Sequence, residues 1–169
     1  IKAEIIDLEG FRELAVSISE NAKGLALLQA LKVAFERLHE LGAAEKAIIF
    51  TESRRTQDYL LSLLSKTEHA GSVVLYSEWI EQHKGSARVS GSRTADTRAA
   101  IVDYFRERGT IMIATEAGAE GINLQFCSLI INYDLPWNPQ RIEQRIGRCH
   151  RYGQKHDVVV VNFLNREND

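Results

Sequence analysis

The chain has 169 residues and a mass of 19.1 kDa, with 44% hydrophobic and 26% charged residues, a formal net charge of −2 and a pI of about 6.3. This is ordinary globular composition for one domain able to bury its own core, and it excludes a disordered chain and a binder of nucleic acid by bulk charge. No apolar run approaches the roughly 20 residues that span a bilayer, Ile1-Lys2-Ala3-Glu4 has no signal-peptide pattern, and two cysteines, Cys127 and Cys149, suit free thiols in a reducing compartment.

In chain order, the start at Ile1 rather than Met reads as a piece of a longer protein. Residues 1–22, with excess acid and weak periodicity, read as a helical lead-in to a domain over 23–169. Leu27, Leu31, Ala34, Leu38 and Leu41 recur at helix spacing, and Gly42 ends that helix. Continuous apolar runs follow at Ala47–Phe50, Val73–Tyr76, Ile111–Ala114, Leu129–Tyr133 and Val158–Leu164. Continuous rather than alternating runs are the pattern of strands buried on both faces, as in a parallel sheet covered by helices. Between them, Thr56–Leu64, Thr94–Arg106 and Pro139–Arg151 read as helices, the last with proline at its entry and Gly153 at its exit. Residues 77–90 read as an inserted surface helix and loop, with Tyr76-Ser77 running into Glu78-Trp79 through a shorter connection than expected. The predicted fold is α/β, doubly wound, with a mainly parallel sheet.

In open α/β sheets ligands sit at the carboxyl ends of the strands. Those ends read Thr51-Glu52-Ser53-Arg54-Arg55, Thr115-Glu116-Ala117-Gly118 and Asp134-Leu135-Pro136-Trp137-Asn138. The helix after Pro139 is the most informative segment. At about 100° per residue, Gln144, Arg148, Arg151 and Arg141 share one face, and Ile142, Ile146 and Cys149 lie opposite. A face of arginines suits bidentate phosphate recognition; a solvated basic face has the same spacing. Gly147 and Gly153 favour the first, because glycine is costly in a helix unless something must come close. Cys149 and His150 are adjacent on a helix and cannot face one metal, and Cys127 has no partner at zinc spacing, so no metal site is expected.

Gln144-Arg145-Ile146-Gly147-Arg148-Cys149-His150-Arg151-Tyr152-Gly153-Gln154 resembles motif VI of superfamily 2 helicases, Q-x-x-G-R-x-x-R, with the R-x-G-Q ending of the SWI/SNF-type branch. Ala114 through Leu124 resembles that branch's motif V, G-x-x-G-x-N-L, and Tyr133 through Pro139 resembles its D-x-x-W-N-P linker. Lys46–Ser53 resembles motif IV, and Gly91-Ser92 with the helix after it the next nucleic-acid-contact motif. The bacterial RapA-like proteins are the subgroup it most resembles.

The resemblance implies the second of two RecA-like (P-loop NTPase-type) lobes, with ATP and Mg2+ bound between them. No G-x-x-x-x-G-K-[ST] or D-E-x-H-like run occurs, so the phosphate cradle and the magnesium carboxylate are expected on the first lobe, and this chain alone is expected to be inactive. By the same resemblance Arg148 and Arg151 are arginine fingers and Gln144 faces the γ-phosphate and attacking water. Glu120, Gly121 and Asn123 stand near ribose and phosphate. Asn123 occupies a position where many members carry Asp; a plain turn residue is the other reading. Thr51, Ser53, Arg54, Ser92, Arg93 and Thr115 are implied contacts to a nucleic-acid backbone, which position a strand without reading sequence; for Arg54, Arg55 and Arg93 a surface arginine is the alternative. Trp137 resembles the linker tryptophan and is expected to pack under the motif VI helix; approach to the nucleic acid is the other reading. The implied partners are DNA, double-stranded favoured, the first lobe, and a protein such as RNA polymerase; the implied setting is bacterial, cytoplasmic and nucleoid-associated. The alternatives are a non-catalytic nucleic-acid or protein-binding module with a helicase-like fold, against which the intact Gln144, Arg148 and Arg151 stand, and an unrelated flavodoxin-like domain.

The net charge conceals an asymmetry. Arg141–His156 carries five Lys/Arg against one acid, whereas Ile1–Glu45 carries five against eight. Positive charge is concentrated where phosphate is expected.

Overall fold

The computed structural model describes residues 8–78, 94–135, 138–150 and 154–163. The chain divides into two compact units, residues 1–33 and 34–169. The first is helical from Leu8 onward, as the start of helix α1 (Leu8–Glu40), and within it Leu27 and Leu31 are buried while Leu25 and Val33 are exposed. Helix α1 therefore begins inside the stretch read as a lead-in and runs on without a break. It ends as the glycine predicted: Gly42 has φ +72°, Ala43 N–H donates to Leu38 C=O at 2.9 Å and Gly42 N–H to His39 C=O at 3.0 Å. This is the Schellman closure, which satisfies carbonyls that have no helical partner.

The second unit holds five strands: β1 (Ala47–Phe50), β2 (Val73–Leu75), β3 (Ile111–Ala114), β4 (Leu129–Asn132) and β5 (Val159–Asn162). All pair parallel, in the order β2-β3-β1-β4-β5, with Ala47 level with both Ile111 and Leu129. Helices α2 (Arg54–Leu64), α3 (Thr94–Arg108) and α4 (Pro139–Cys149) supply the crossovers. The predicted α/β architecture is thus the one observed. The central strands β1, β3 and β4 are buried at every position. Strands β2 and β5, predicted to be buried on both faces, are only partly so, because each lies at a sheet edge with one neighbour. Of the segment read as an insertion, Ser77 and Glu78 are described and are helical; the rest lies outside the described residues.

One face of the sheet presents Ile48, Phe50, Met112, Ala114 and Ile130 to α3, whose Ile101 and Phe105 are fully buried, and to Ile122, Leu124, Cys127 and Cys149. Phe105 stacks at 5.5 Å on Phe126. Lys46, just before β1, donates to the carbonyls of Phe105 and Gly109 at the end of α3, where a helix dipole favours a cation. Burial holds its ammonium below the usual lysine range. The order of the strands splits the winding. After β3 the chain crosses to the other half of the sheet, and the carboxyl ends of β3, β1 and β4 lie side by side there. This is the place where such sheets bind ligands.

Phe105→Ala would empty the centre of this core and is expected to destabilise the domain by about 3–5 kcal/mol, read by urea unfolding; a loss below about 1 kcal/mol would contradict the packing described.

Candidate functional site: a cavity at the strand ends

Helix α4 delivers the site. Its N-cap, Asn138, accepts from Gln140 N–H at 3.0 Å, and Pro139 fills a first-turn position that needs no donor. At the other end Leu124 N–H donates to Arg148 C=O at 2.9 Å, and Gln154 Nε2 donates to Cys149 C=O at 3.0 Å and to Cys127 C=O at 3.3 Å. The loop after β3 is thereby fastened to the end of α4. The Cys149 thiol faces Cys127; that hydrogen bond and burial push its pKa up, so it is a packed thiol rather than a nucleophile.

Between one face of α4, from Arg141 to Arg148, and the carboxyl ends of β1 and β3 lies a cavity of about 330 Å³. Phe50, Glu52, Glu116, Glu120, Arg141, Gln144, Arg145 and Arg148 line it. Three of the sequence candidates, Gln144, Arg148 and Glu120, are therefore brought together, with Arg141 beside them. Arg141 and Gln144 are exposed and Arg148 is half-buried.

The centre of the cavity wall is Arg145, a residue the motif comparison gives no role. Its side chain is 1% exposed. Nη1 donates to Asn132 Oδ1 at 2.9 Å and to Asp134 C=O at 3.3 Å. Nη2 stands 3.4 Å from Glu116 Oε2 and 3.6 Å from Glu52 Oε1, and the guanidinium lies 4.8 Å from the Phe50 ring centroid. Asn132 is in turn held by donating to Asn162 Oδ1 at 2.7 Å. Nε is buried with no hydrogen-bond partner among the described residues. The signal was in the helical wheel: Arg145 lies about 40° from Arg141 toward Cys149, at the border between the polar and apolar faces.

Other candidates lie elsewhere. Thr51 is fully buried and its hydroxyl donates to Asp134, so it is an internal strut rather than a phosphate donor. Ser53 is the N-cap of α2, its oxygen accepting from Thr56 N–H at 3.4 Å. Arg54 is exposed on the first turn of that helix. Thr115 Oγ1 accepts from Gly118 N–H at 2.9 Å and closes the turn after β3. Gly121 and Asn123 do not line the cavity. They border a separate groove with Arg98 and Arg106, because the backbone reverses at Gly121, where φ is +78°. Asn123 Oδ1 accepts from Gln125 N–H at 3.3 Å, the turn-residue reading. Gly118 has no positive φ; a Cβ there would come within 3.0 Å of the Tyr76 ring and 3.1 Å of Thr115 Oγ1. The Tyr76 hydroxyl is pushed up by burial, against the lowering effect of Arg98. Helix α4 ends at Cys149, with His150 as its cap, two residues short of the predicted Arg151. Arg151, Gly153, Ser92, Arg93 and Trp137 lie outside the described residues. Among the described residues no group of His, Cys, Asp and Glu is arranged to hold a metal ion, and no helix is long and apolar enough to cross a membrane.

On the α4 wall, Arg141, Gln144 and Arg148 offer donors of the kind that suit phosphate oxygens.

An ATP-dependent helicase of Bacillus subtilis, YqhH, itself uncharacterised, is 40% identical over 151 residues, covering 88% of this chain and 22% of that protein. Eukaryotic initiation factor 4A of Zea mays is 30% identical over the whole chain and 36% of its own length. The chain thus spans about a fifth to a third of the curated relatives it matches. Among solved structures, the C-terminal part of the Fun30 ATPase domain aligns with a TM-score of 0.60 at 23% identity, over 82% of this chain and 40% of that one. Domain 2 of the Mss116p DEAD-box helicase, bound to an RNA duplex, aligns with a TM-score of 0.56 at 20% identity, over 84% and 50%. The family model of the helicase conserved C-terminal domain matches residues 27–153, most of the chain, and the chain belongs to that family.

Proposed function

We propose that this domain is the second motor lobe of an ATP-driven DNA translocase of the SWI/SNF type, completing an ATP site whose phosphate cradle and magnesium ligands belong to a first lobe. The observation that carries the reading is the joint placement of Gln144 and Arg148 on one wall of the strand-end cavity. Arg148 donates to the phosphoryl group where charge develops in transfer, with Arg151 as second finger, and Gln144 orients the attacking water. Glu120 lies at the edge of the same cavity. Gly121 and Asn123 support the turn rather than the nucleotide. Arg54, with the backbone around Ser53 and Thr115, and with Ser92 and Arg93, tracks a nucleic-acid backbone.

A bacterial, cytoplasmic, nucleoid-associated setting and a protein partner such as RNA polymerase belong to the same proposal, and the resemblance of the W-N-P and R-x-G-Q motifs favours double-stranded DNA. The full-chain similarity to initiation factor 4A favours RNA as the second reading. ATPase assays of the full-length protein with duplex DNA, single-stranded DNA and RNA separate the two: stimulation by RNA alone would overturn the DNA assignment.

In the full-length protein, Arg148→Ala is expected to lower kcat of the stimulated ATPase by about 10³–10⁵ while polynucleotide affinity changes little. ATPase that survives this change would favour a binding module instead. The chain by itself is expected to turn over no ATP. Gly147 makes a further prediction, since a Cβ there meets nothing within 4 Å. Gly147→Ala should raise stability by about 0.5–1 kcal/mol in thermal unfolding and yet slow the full-length ATPase, because in this reading the space beside Gly147 is left for the nucleotide and the first lobe.

A further inference from the structure

Two loops leave the sheet where nucleic-acid contacts are proposed: one after β1, with Glu52, Ser53 and Arg54, and one after β3, with Thr115 and Glu116. They are tied to each other and to α4 by one ion cluster. Glu52 Oε1 accepts from Glu116 N–H at 3.1 Å, and both carboxylates approach the same nitrogen, Nη2 of Arg145. Arg145 follows Gln144 and stands one turn before Arg148, the two residues on the cavity wall. Side-chain exposure falls along the cluster, from 54% at Glu52 to 22% at Glu116 and 1% at Arg145.

We propose that Glu52, Glu116 and Arg145 couple the two ligand sites, with Arg145 as a positioning residue that sets Gln144 and Arg148 according to whether a nucleic-acid backbone occupies the strand-end loops. This deepens the motor-lobe reading and rests on it. The physical reason is that displacing either carboxylate leaves Arg145 under-compensated. A buried cation left under-compensated is costly, so when Glu52 or Glu116 moves, the guanidinium must follow or a new partner must be found. Phe50 beneath the guanidinium plane, with Asn132 and the Asp134 carbonyl at Nη1, confines that motion. The more exposed end of the cluster lies beside the loops and the buried end on the helix. A displacement at the loops is therefore passed to α4 through charge and fork geometry, with no intervening segment. Coupling of this kind is reciprocal: each ligand changes the affinity of the other by the same factor.

The test uses the full-length protein that contains this chain and measures polynucleotide Kd with and without a non-hydrolysable ATP analogue. The wild-type ratio is expected to lie in the range of about 5–150. Glu52→Ala alters an exposed side chain and should keep the fold, yet bring the ratio to within about twofold of 1. Arg145→Lys, which keeps the charge and loses the planar fork, should do the same; if it fails to fold, Glu52→Ala decides. A merely structural cluster would weaken both ligands and leave the ratio unchanged, so a folded Glu52→Ala protein with the wild-type ratio overturns the proposal. A wild-type ratio of 1 with intact ATPase also overturns it and leaves the motor-lobe reading standing. Absence of any ATPase in the wild type removes that reading and the coupling together.

Discussion

The buried guanidinium of Arg145 is the interaction around which the strand ends are arranged. Removing a cation from water costs several kcal/mol even after relaxation. The domain offsets this with two carboxylates from different loops, a side-chain amide and a main-chain carbonyl from β4 and its exit, and an aromatic face from β1. These partners come from three strand ends, so the cation is satisfied only when β1, β3 and β4 are in register and α4 lies across them. Asn132, fully buried at the end of β4, extends the same requirement to Asn162 on β5.

This arrangement explains how a short helix can present charge with precision. Helix α4 is held at its start by Asn138 and Pro139, at its end by Leu124 and Gln154, and in its middle by Arg145. Neighbouring Arg141 and Arg148 remain turned toward the cavity, where the nearest carboxylate to Arg141, Glu116, is 3.8 Å away and already engaged with Arg145. An exposed pair at that distance contributes little. The cavity keeps cations whose local partners are weak, the condition in which they can accept a phosphate without first losing a strong ion pair.

Much of the fold was legible from the pattern of residues. The apolar runs at Ala47–Phe50, Ile111–Ala114 and Leu129–Asn132 became the buried central strands, and Gly42 and Pro139 marked helix ends through backbone chemistry that is local. The edge strands were less legible, because whether a valine run has one neighbour or two depends on strand order. The shared helix face of Gln144 and Arg148 was legible from their spacing, and both line the cavity. The local bonds of Thr51 to Asp134 and of Asn123 to Gln125 were not legible, because a hydroxyl or amide in a strand-end motif looks alike whether it faces a ligand, another strand or its own turn. The cap bond of Ser53 and the turn bond of Thr115 were hidden for the same reason.

The sequence by itself determined the periodicities, the helix stops, the concentration of arginines and, through motif order, the family. These are properties of near neighbours in the chain, set by backbone sterics and by which face of an element a residue occupies. Only the tertiary structure decided which arginine is buried. Glu52, Glu116, Asn132 and Arg145 are scattered over more than ninety positions of chain, and their meeting depends on the strand order β3-β1-β4. Long-range charge compensation leaves no local periodic trace, so Arg145 stood in the sequence as one basic residue among several until the sheet placed two carboxylates against it.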